Sequence, residues 1–340
     1  ECQYFYKWCK MKKRRLLQSG KLVSEIGLGC MSFAGFYGPT DEKEAHDTLN
    51  TALDCGIDFL DTANVYGMGL SETMIGNYIK NNGNPFVIAT KASISRDPET
   101  QQRTFDNSAA HLEAELNKSL DRLRVDYVDL FYIHRRDQTI PIEDVMETLL
   151  KFKNDGKIGG IGFSEISPSS LRRASEVGLV DAVQSEYSLW TRSAELGLIQ
   201  TCEELGVSFI PFSPLGRGIF SQTPPDPSTF GDLDFRKNNP RFLQPNFNQN
   251  SKLLTPFKQF CAELGVSPST IAIAWTLKQA NHILPIPGTR SRNHLIELAL
   301  GSEFEITEEI SNQIDRFLPI GWAHGERYSD DQWIGIEKFC

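Results

Sequence analysis

Four proton-active residues stand where apolar runs of the chain give way to polar ones. Asp61 and Tyr66 lie five positions apart in DTANVYG, Lys91 follows FVIAT, and His134 follows YVDLFYI. A phenol has an ordinary pKa near 10, so Tyr66 becomes a useful acid at neutral pH only if a nearby cation stabilises its phenolate. Lys91 supplies that cation. A lysine desolvated in a pocket tends to lose its proton, and Asp61 as its ion-pair partner holds the charge in place. His134 then donates a hydrogen bond to a substrate oxygen or relays the proton. Taken singly, each residue has a plainer reading: Asp61 as a helix cap, Tyr66 as a packed aromatic, Lys91 as a solvated loop cation, His134 as a satisfied core histidine. Taken together, the four make one chemical unit.

The elements that must position this unit are short apolar runs. IDFL, FVIAT, YVDLFYI, IGGIGF, DAV and VSFIPF precede Asp61, Lys91, His134, Ser164, Gln184 and Ser213. Their nearly continuous apolar character predicts parallel strands buried on both faces. Residues 25–29 and 282–286 bring the expected strands to eight. Helical patterns over 42–55, 108–123, 142–153 and 168–177 lie between them, several opening with Asp, Ser or Pro and closing near Gly. Such alternation means a parallel sheet, closed or open. The first strand leads into GLGCMSFAG with no G-x-G-x-x-G turn, so the open dinucleotide-binding sheet loses its main support. Strands that end in polar residues are what an α/β fold of the (β/α)8 TIM barrel type requires, because such barrels do chemistry at that edge.

Three further segments complete the expected architecture. RRLL and KLVS flank Gln18-Ser19-Gly20 as an N-terminal hairpin that plugs the barrel from below. Residues 216–250, rich in Pro, Asn and Asp, form a long lid loop. Residues 302–318 form an extra C-terminal helix, followed by an irregular tail whose Trp322, Tyr328 and Trp333 suit a flap over the barrel mouth.

Composition narrows the function classes. The chain has 340 residues, 40% of them hydrophobic and 23% charged, as in ordinary globular proteins. No apolar run approaches the roughly 20 residues of a membrane-spanning helix. The net charge of −9 disfavours a nucleic-acid partner while leaving room for a local basic pocket that takes a small anion. Seven scattered cysteines without a C-x-x-C pair suggest neither a disulfide framework nor a metal cluster, which fits a reducing cytoplasm. Residues 1–10 read as a leader or cloning remnant ahead of Met11, and residues 11–340 as one barrel domain.

The tetrad and its setting resemble the aldo-keto reductase superfamily, whose Asp, Tyr, Lys and His match Asp61, Tyr66, Lys91 and His134. The resemblance runs from GLGCMSF through DTANVYG, YVDLFYIHR, GKIGGIGFSE, QSEYSLWTR and PFSPLGRGIF to PIPGTRS. QSEYSLWTR, SPLGRG and FRKNNPRF look like the branch of bacterial, yeast and plant aldehyde and ketone reductases. The resemblance implies that NADPH gives a hydride to an aldehyde or ketone while Tyr66 gives a proton, with no metal. It implies that Ser164 and Gln184 hold the carboxamide, that Met31 meets the nicotinamide ribose through its backbone, and that Phe212 stacks on the ring. Ser213, Leu215, Gly216 and Arg217 would follow the pyrophosphate. Gly288, Thr289, Arg290 and Arg292 would meet the adenosine 2′-phosphate, with Glu297 near the adenine. The sequence departs from the pattern at Glu165, where many members have an Asn that can donate as well as accept, and at Leu298, where an Asn is usual. Phe33, Tyr37 and Trp190 are candidate walls of the substrate pocket.

Two other readings stay open. A regulatory subunit of the potassium-channel β type shares this fold and binds NADPH while serving chiefly as a partner. A barrel hydrolase or isomerase would use Asp61 and His134 as base and acid, though neither a metal cluster nor a carboxylate pair is evident.

Overall fold

The barrel strands are short and apolar because both of their faces are covered. In the computed structural model, which describes residues 11–97, 99, 102–232 and 234–338, the seven strands Leu28–Gly29, Phe59–Asp61, Val87–Ala92, Val128–Ile133, Ile158–Ser164, Ala182–Glu186 and Ser208–Phe212 pair in parallel with their chain neighbours. The segment 1–10, read as a leader, lies outside the described residues.

An eighth segment closes the ring, as expected, but not as a regular strand. Leu284 and Ile286 donate to the carbonyls of Phe209 and Pro211, while Gly27 and Gly29 donate to those of Pro285 and Pro287. The two prolines face the first strand, where they accept but have no N–H to give back. Half of the last ladder is thereby lost, and only isolated bridges such as Gly29 to Gly288 remain. The result is a (β/α)8 barrel with one irregular stave.

The barrel interior is packed with Phe59, Val87, Ala89, Leu130, Tyr132, Ala182, Ile210, Leu284 and Ile286. The expected plug is present as the antiparallel pair Lys13–Arg15 and Leu22–Ser24. Leu16, Leu17 and Val23 of this hairpin join the interior cluster from below, and Arg14 Nη1 donates to Ala280 O at 2.7 Å and Ile283 O at 2.8 Å. The glycines of IGGIGF make room for this packing. A Cβ on Gly162 would lie 2.4 Å from the Tyr132 ring, and one on Gly160 would lie 2.6 Å from Leu17. Gly162→Ala is therefore expected to destabilise the protein by about 1–3 kcal/mol through overpacking. A denaturant midpoint equal to that of the parent would refute this.

Return helices begin where the sequence offers a cap. Asp41, Ser108, Ser167, Ser267 and Ser291 each accept a backbone N–H at the start of Glu42–Asp54, Ala109–Leu123, Pro168–Val177, Pro268–Lys278 and Arg292–Ala299. Their apolar faces pack on the outside of the strands in a second, larger core.

The structure departs from the sequence reading in the loops. An antiparallel pair, Ile94–Arg96 with Arg103–Phe105, rises beside the mouth from a polar stretch with no strand-like alternation. The lid gives way within the expected loop to the helix Asn246–Glu263. The extra helix is shorter than expected, Glu308–Phe317, and the tail contains the turn of helix Asp330–Trp333. Trp322 is not part of a flap: its ring stacks on Trp190 at 6.1 Å and its N–H donates to Leu189 O at 2.7 Å. No single helix among the described residues is long and apolar enough to cross a membrane.

Candidate active site

The C-terminal strand edge brings the four residues together. Asp61 ends its strand, Lys91 lies one position inside the end of the next, and His134 follows Ile133. The register pairs Asp61 with Ala89 and Lys91 with Tyr132, so Lys91 and His134 each stand two residues beyond their neighbour's partner, which keeps the three on one face and steps them up toward the mouth. Lys91 is fully buried; its Nζ donates to Asp61 Oδ1 and, at 2.7 Å, to Thr62 O. Gln184 Nε2 donates to the other Asp61 oxygen at 2.8 Å. The Lys91 ammonium lies 5.1 Å from the centre of the Tyr66 ring, whose edge meets His134 at 5.9 Å and Phe36 at 6.1 Å.

Electrostatics assign the protons. Burial pulls the Lys91 pKa down, but Asp61 and Tyr66 outweigh it and hold the ammonium above its ordinary value. Burial pulls the Asp61 carboxyl up against the opposing charge of Lys91 and the hydrogen bond from Gln184. Burial also raises the Tyr66 phenol by more than Lys91 lowers it. This differs from the sequence expectation, in which the ammonium dominates, because a low-dielectric cavity penalises the phenolate first. Tyr66 therefore holds its proton until a stronger base develops beside it. His134 is driven well below 6.5 by burial and then by Arg135 and Lys91, so its ring is neutral. Its Nδ1 is buried without a partner.

These groups open into one cavity of 1460 Å³. Drug-sized ligands occupy roughly 300–1,000 Å³, so the space suits something longer than a small substrate. Met31, Ser164, Gln184, Phe212, Ser213, Leu215, Arg217, Gly288, Thr289, Arg290 and Glu297 all line it, and Gly216 is buried in the same turn. Ser213, Gly216, Arg217 and Gly218 have φ of 52°, 55°, 57° and 98°. Such left-handed turns direct successive N–H groups into a concavity suited to an anion. At the far end Ser291, His294 and Leu298 bring the start of the helix Arg292–Ala299 to the wall.

Several expected residues are placed differently. Phe33 is fully buried in the hydrophobic core, and Trp190 packs on Phe242 and Trp322; neither lines the cavity, whereas Tyr37 does. Arg292 faces a shallow outer depression instead, with Asp41, Lys43 and Asp47. Arg290 spans the two regions, donating from Nη1 to Tyr37 O and Gly38 O at 3.0 Å each. Glu165 turns away from the cavity and forms a two-pronged pair with Arg327 of the tail, at 3.2 and 2.5 Å.

Arg236, Gln332 and Arg135 are among the cavity residues that the sequence reading did not name as contacts, whereas Tyr328 reaches the wall from the tail as expected. Arg236 of FRKNNPRF stacks over the Tyr37 ring at 5.0 Å, so the lid is fastened to the first loop of the barrel. Tyr328 and Gln332 bring the tail to the wall. For Arg236 the basic cluster in a Pro- and Asn-rich loop was the available signal; for Gln332 there was none.

Comparison with known proteins agrees with this geometry. Residues 25–319 match the model of the Aldo/keto reductase family. The chain is 37% identical over 311 residues to the aldo-keto reductase yakc of Schizosaccharomyces pombe, whose name specifies NADP(+), covering 90% of this chain and 92% of that protein. It is 34% identical over 332 residues to the probable aldo-keto reductase 1 of Glycine max, covering 96% and 93%. The solved glycerol dehydrogenase of Gluconobacter oxydans superimposes with a TM-score of 0.82 at 28% identity, covering 91% of this chain and 96% of that one.

Proposed function

The chain belongs to the aldo-keto reductase family of oxidoreductases, and from that premise we propose that it reduces aldehydes or ketones with NADPH, Tyr66 donating the proton. The observation that carries the reading is one cavity lined by a protonated phenol and a neutral imidazole, with a buried ammonium directly behind them, and by an anion-suited turn and a helix start elsewhere on its wall. A dinucleotide fits that donor set. Phe212 offers a ring face, Ser164 and Gln184 offer polar contacts to a carboxamide, Leu215 and Arg217 offer backbone N–H groups to a pyrophosphate while those of Gly216 and Gly218 close the turn itself, and Arg290 offers charge near the helix start. Bound there, NADPH, the reduced form of the NADP(+) in the name of the Schizosaccharomyces pombe relative, would supply a hydride from its nicotinamide C4 to the carbonyl carbon.

The protein's own groups handle the proton. As the carbonyl π bond breaks, its oxygen becomes basic enough to take the Tyr66 proton. Lys91, kept charged by Asp61, steadies the phenolate left behind, and solvent returns the proton after each turnover. His134, neutral, offers an N–H to the same oxygen without competing as an acid. Ser164 and Gln184 line the cavity where they would hold the carboxamide and so orient the cofactor, which would lower the entropic cost of the step.

The test is loss of absorbance at 340 nm when NADPH meets a simple aromatic aldehyde. Binding of NADPH without its consumption by any carbonyl compound would favour the regulatory-subunit alternative. Arg290→Ala is expected to weaken NADPH by about tenfold while NADH changes far less, because only NADPH carries the additional phosphate. Arg292→Ala should have the smaller effect, as its side chain lies on the outer side. Equal losses for both cofactors in Arg290→Ala would show that this cation serves another part of the molecule.

A further inference from the structure

Arg135 stands beside the reacting groups and has no part in the steps above. It follows His134 at the end of Val128–Ile133, is 7% exposed and lines the cavity. Both of its side-chain hydrogen bonds leave from Nη1, to His134 O at 2.7 Å and to Ser164 Oγ at 3.0 Å. Its Nε is buried without a partner, and Nη2 makes no hydrogen bond among the described residues. No carboxylate lies within ion-pair distance of it among those residues, in contrast to the neighbouring buried arginines. Arg217 meets Glu186 at 3.0 Å, and Arg327 meets Glu165 at 2.5 Å. Glu165, whose carboxylate feels the charge of Arg135 without a hydrogen bond to it, is already held on both oxygens by Arg327.

A buried guanidinium with no carboxylate in contact is costly to fold around, and the cost is relieved when an anion arrives. The position of this charge says where that anion would sit. Arg135 acts electrostatically on Tyr66, on His134 and on Tyr328, three groups that line the same part of the cavity. The space enclosed by them is where a carbonyl must lie to take the Tyr66 proton.

We propose that Arg135 is a substrate-binding residue whose guanidinium receives a carboxylate carried next to the reacting carbonyl, so that the preferred substrates are 2-oxo acids and short aldehyde acids. A charged guanidinium N–H makes a strong hydrogen bond to a carboxylate oxygen, and Nη2 is the nitrogen left uncommitted to make it. Because Tyr66, His134 and Arg135 line the same cavity, a carboxylate on the carbon adjacent to the carbonyl would face Arg135 with the carbonyl oxygen directed toward Tyr66 and His134. The inference rests on the reductase reading, and the experiment separates the two.

The NADPH-loaded protein is assayed with pyruvate and with methyl pyruvate, which share a ketone and differ by one negative charge. The wild-type protein should favour the acid over the ester in kcat/KM. In Arg135→Gln that acid-to-ester ratio should fall by about 10- to 100-fold, the worth of one charge-assisted contact. Arg135→Lys, which keeps the charge but loses the guanidinium, should restore part of the ratio. A role confined to holding Ser164 in place would lower both substrates together and leave the ratio unchanged, which would overturn the proposal. Oxamate, an unreactive analogue of a 2-oxo acid, supplies a readout independent of turnover: its calorimetric binding to the NADPH complex should weaken in Arg135→Gln by a similar factor. Turnover of methyl pyruvate with oxamate binding indifferent to Arg135 would refute the subsite alone. Oxamate binding that depends on Arg135, with no carbonyl compound reduced, would uphold the subsite and refute the reductase reading.

Discussion

Tyr66→Phe is expected to lower kcat for carbonyl reduction by about 10³-fold while NADPH affinity stays within about a factor of two. Phenylalanine keeps the ring and its edge contacts to His134 at 5.9 Å and Phe36 at 6.1 Å, so the cavity wall survives and only the transferable proton is lost. Positioned general acids contribute typically 10²–10⁴-fold, and Tyr66 belongs in the upper half of that range because the acid nearest to replace it, His134, is a neutral imidazole. The direction of the Tyr66 shift adds a pH signature. Burial holds the phenol above 10, so the acid form persists across neutral pH, and kcat should show no decline from loss of this proton until the solution is strongly alkaline. Single-turnover oxidation of bound NADPH checks both points. Retention of more than about a tenth of the wild-type rate in Tyr66→Phe would remove the phenol from the mechanism.

Strand ends and site residues were legible in the sequence for one reason. A parallel strand covered on both faces is written as an uninterrupted apolar run, and the first polar residue after it marks the mouth of the barrel. Asp61, Lys91, His134, Ser164 and Gln184 announce themselves in this way and reach the same cavity wall or lie directly behind it. Elements without such punctuation were not legible. The pair Ile94–Arg96 and Arg103–Phe105 is polar on both sides of its turn, and the closing segment carries two prolines that a strand pattern does not anticipate. Aromatics misled in a third way. Phe33 and Trp190 look the same in a sequence as pocket-lining rings, yet the structure packs them into the core, while Tyr37 and Tyr328 reach the cavity. Only the distribution of neighbours in space separates those cases.

The departure at Glu165 was visible, but its partner was not, since Arg327 lies 162 residues away in the tail. Burial would raise the Glu165 carboxyl, yet the charge and hydrogen bonds of Arg327, with help from Arg135 and the Glu186 N–H, hold it down to about 2. Arg327 also lies 3.5 Å from Glu186, which pairs with Arg217 of the turn 213–218, so the pair ties the tail to the barrel rather than ornamenting its surface. Removing one member of a buried pair leaves an uncompensated charge and typically costs about 3–5 kcal/mol, whereas removing both costs far less. Arg327→Met should therefore destabilise the protein by about that amount, and adding Glu165→Gln should recover most of it. The pH dependence has a definite sign. Glu165 is ionised in the folded protein down to about 2 and in the unfolded chain only down to about 4.5, so its contribution is complete above pH 4.5 and is lost as pH falls from there toward 2. Urea unfolding at pH 7 and at steps below pH 5 measures both effects, and Glu165→Gln should flatten the acid slope. Because Tyr328 follows Arg327 on the cavity wall, Arg327→Met should also raise KM for the carbonyl substrate more than it changes NADPH affinity. Additive losses in the double variant would mean that the two charges fold independently and that the tail is held by its other contacts, such as those of Glu337 with Ser167 and of the Arg327 carbonyl with Asn239.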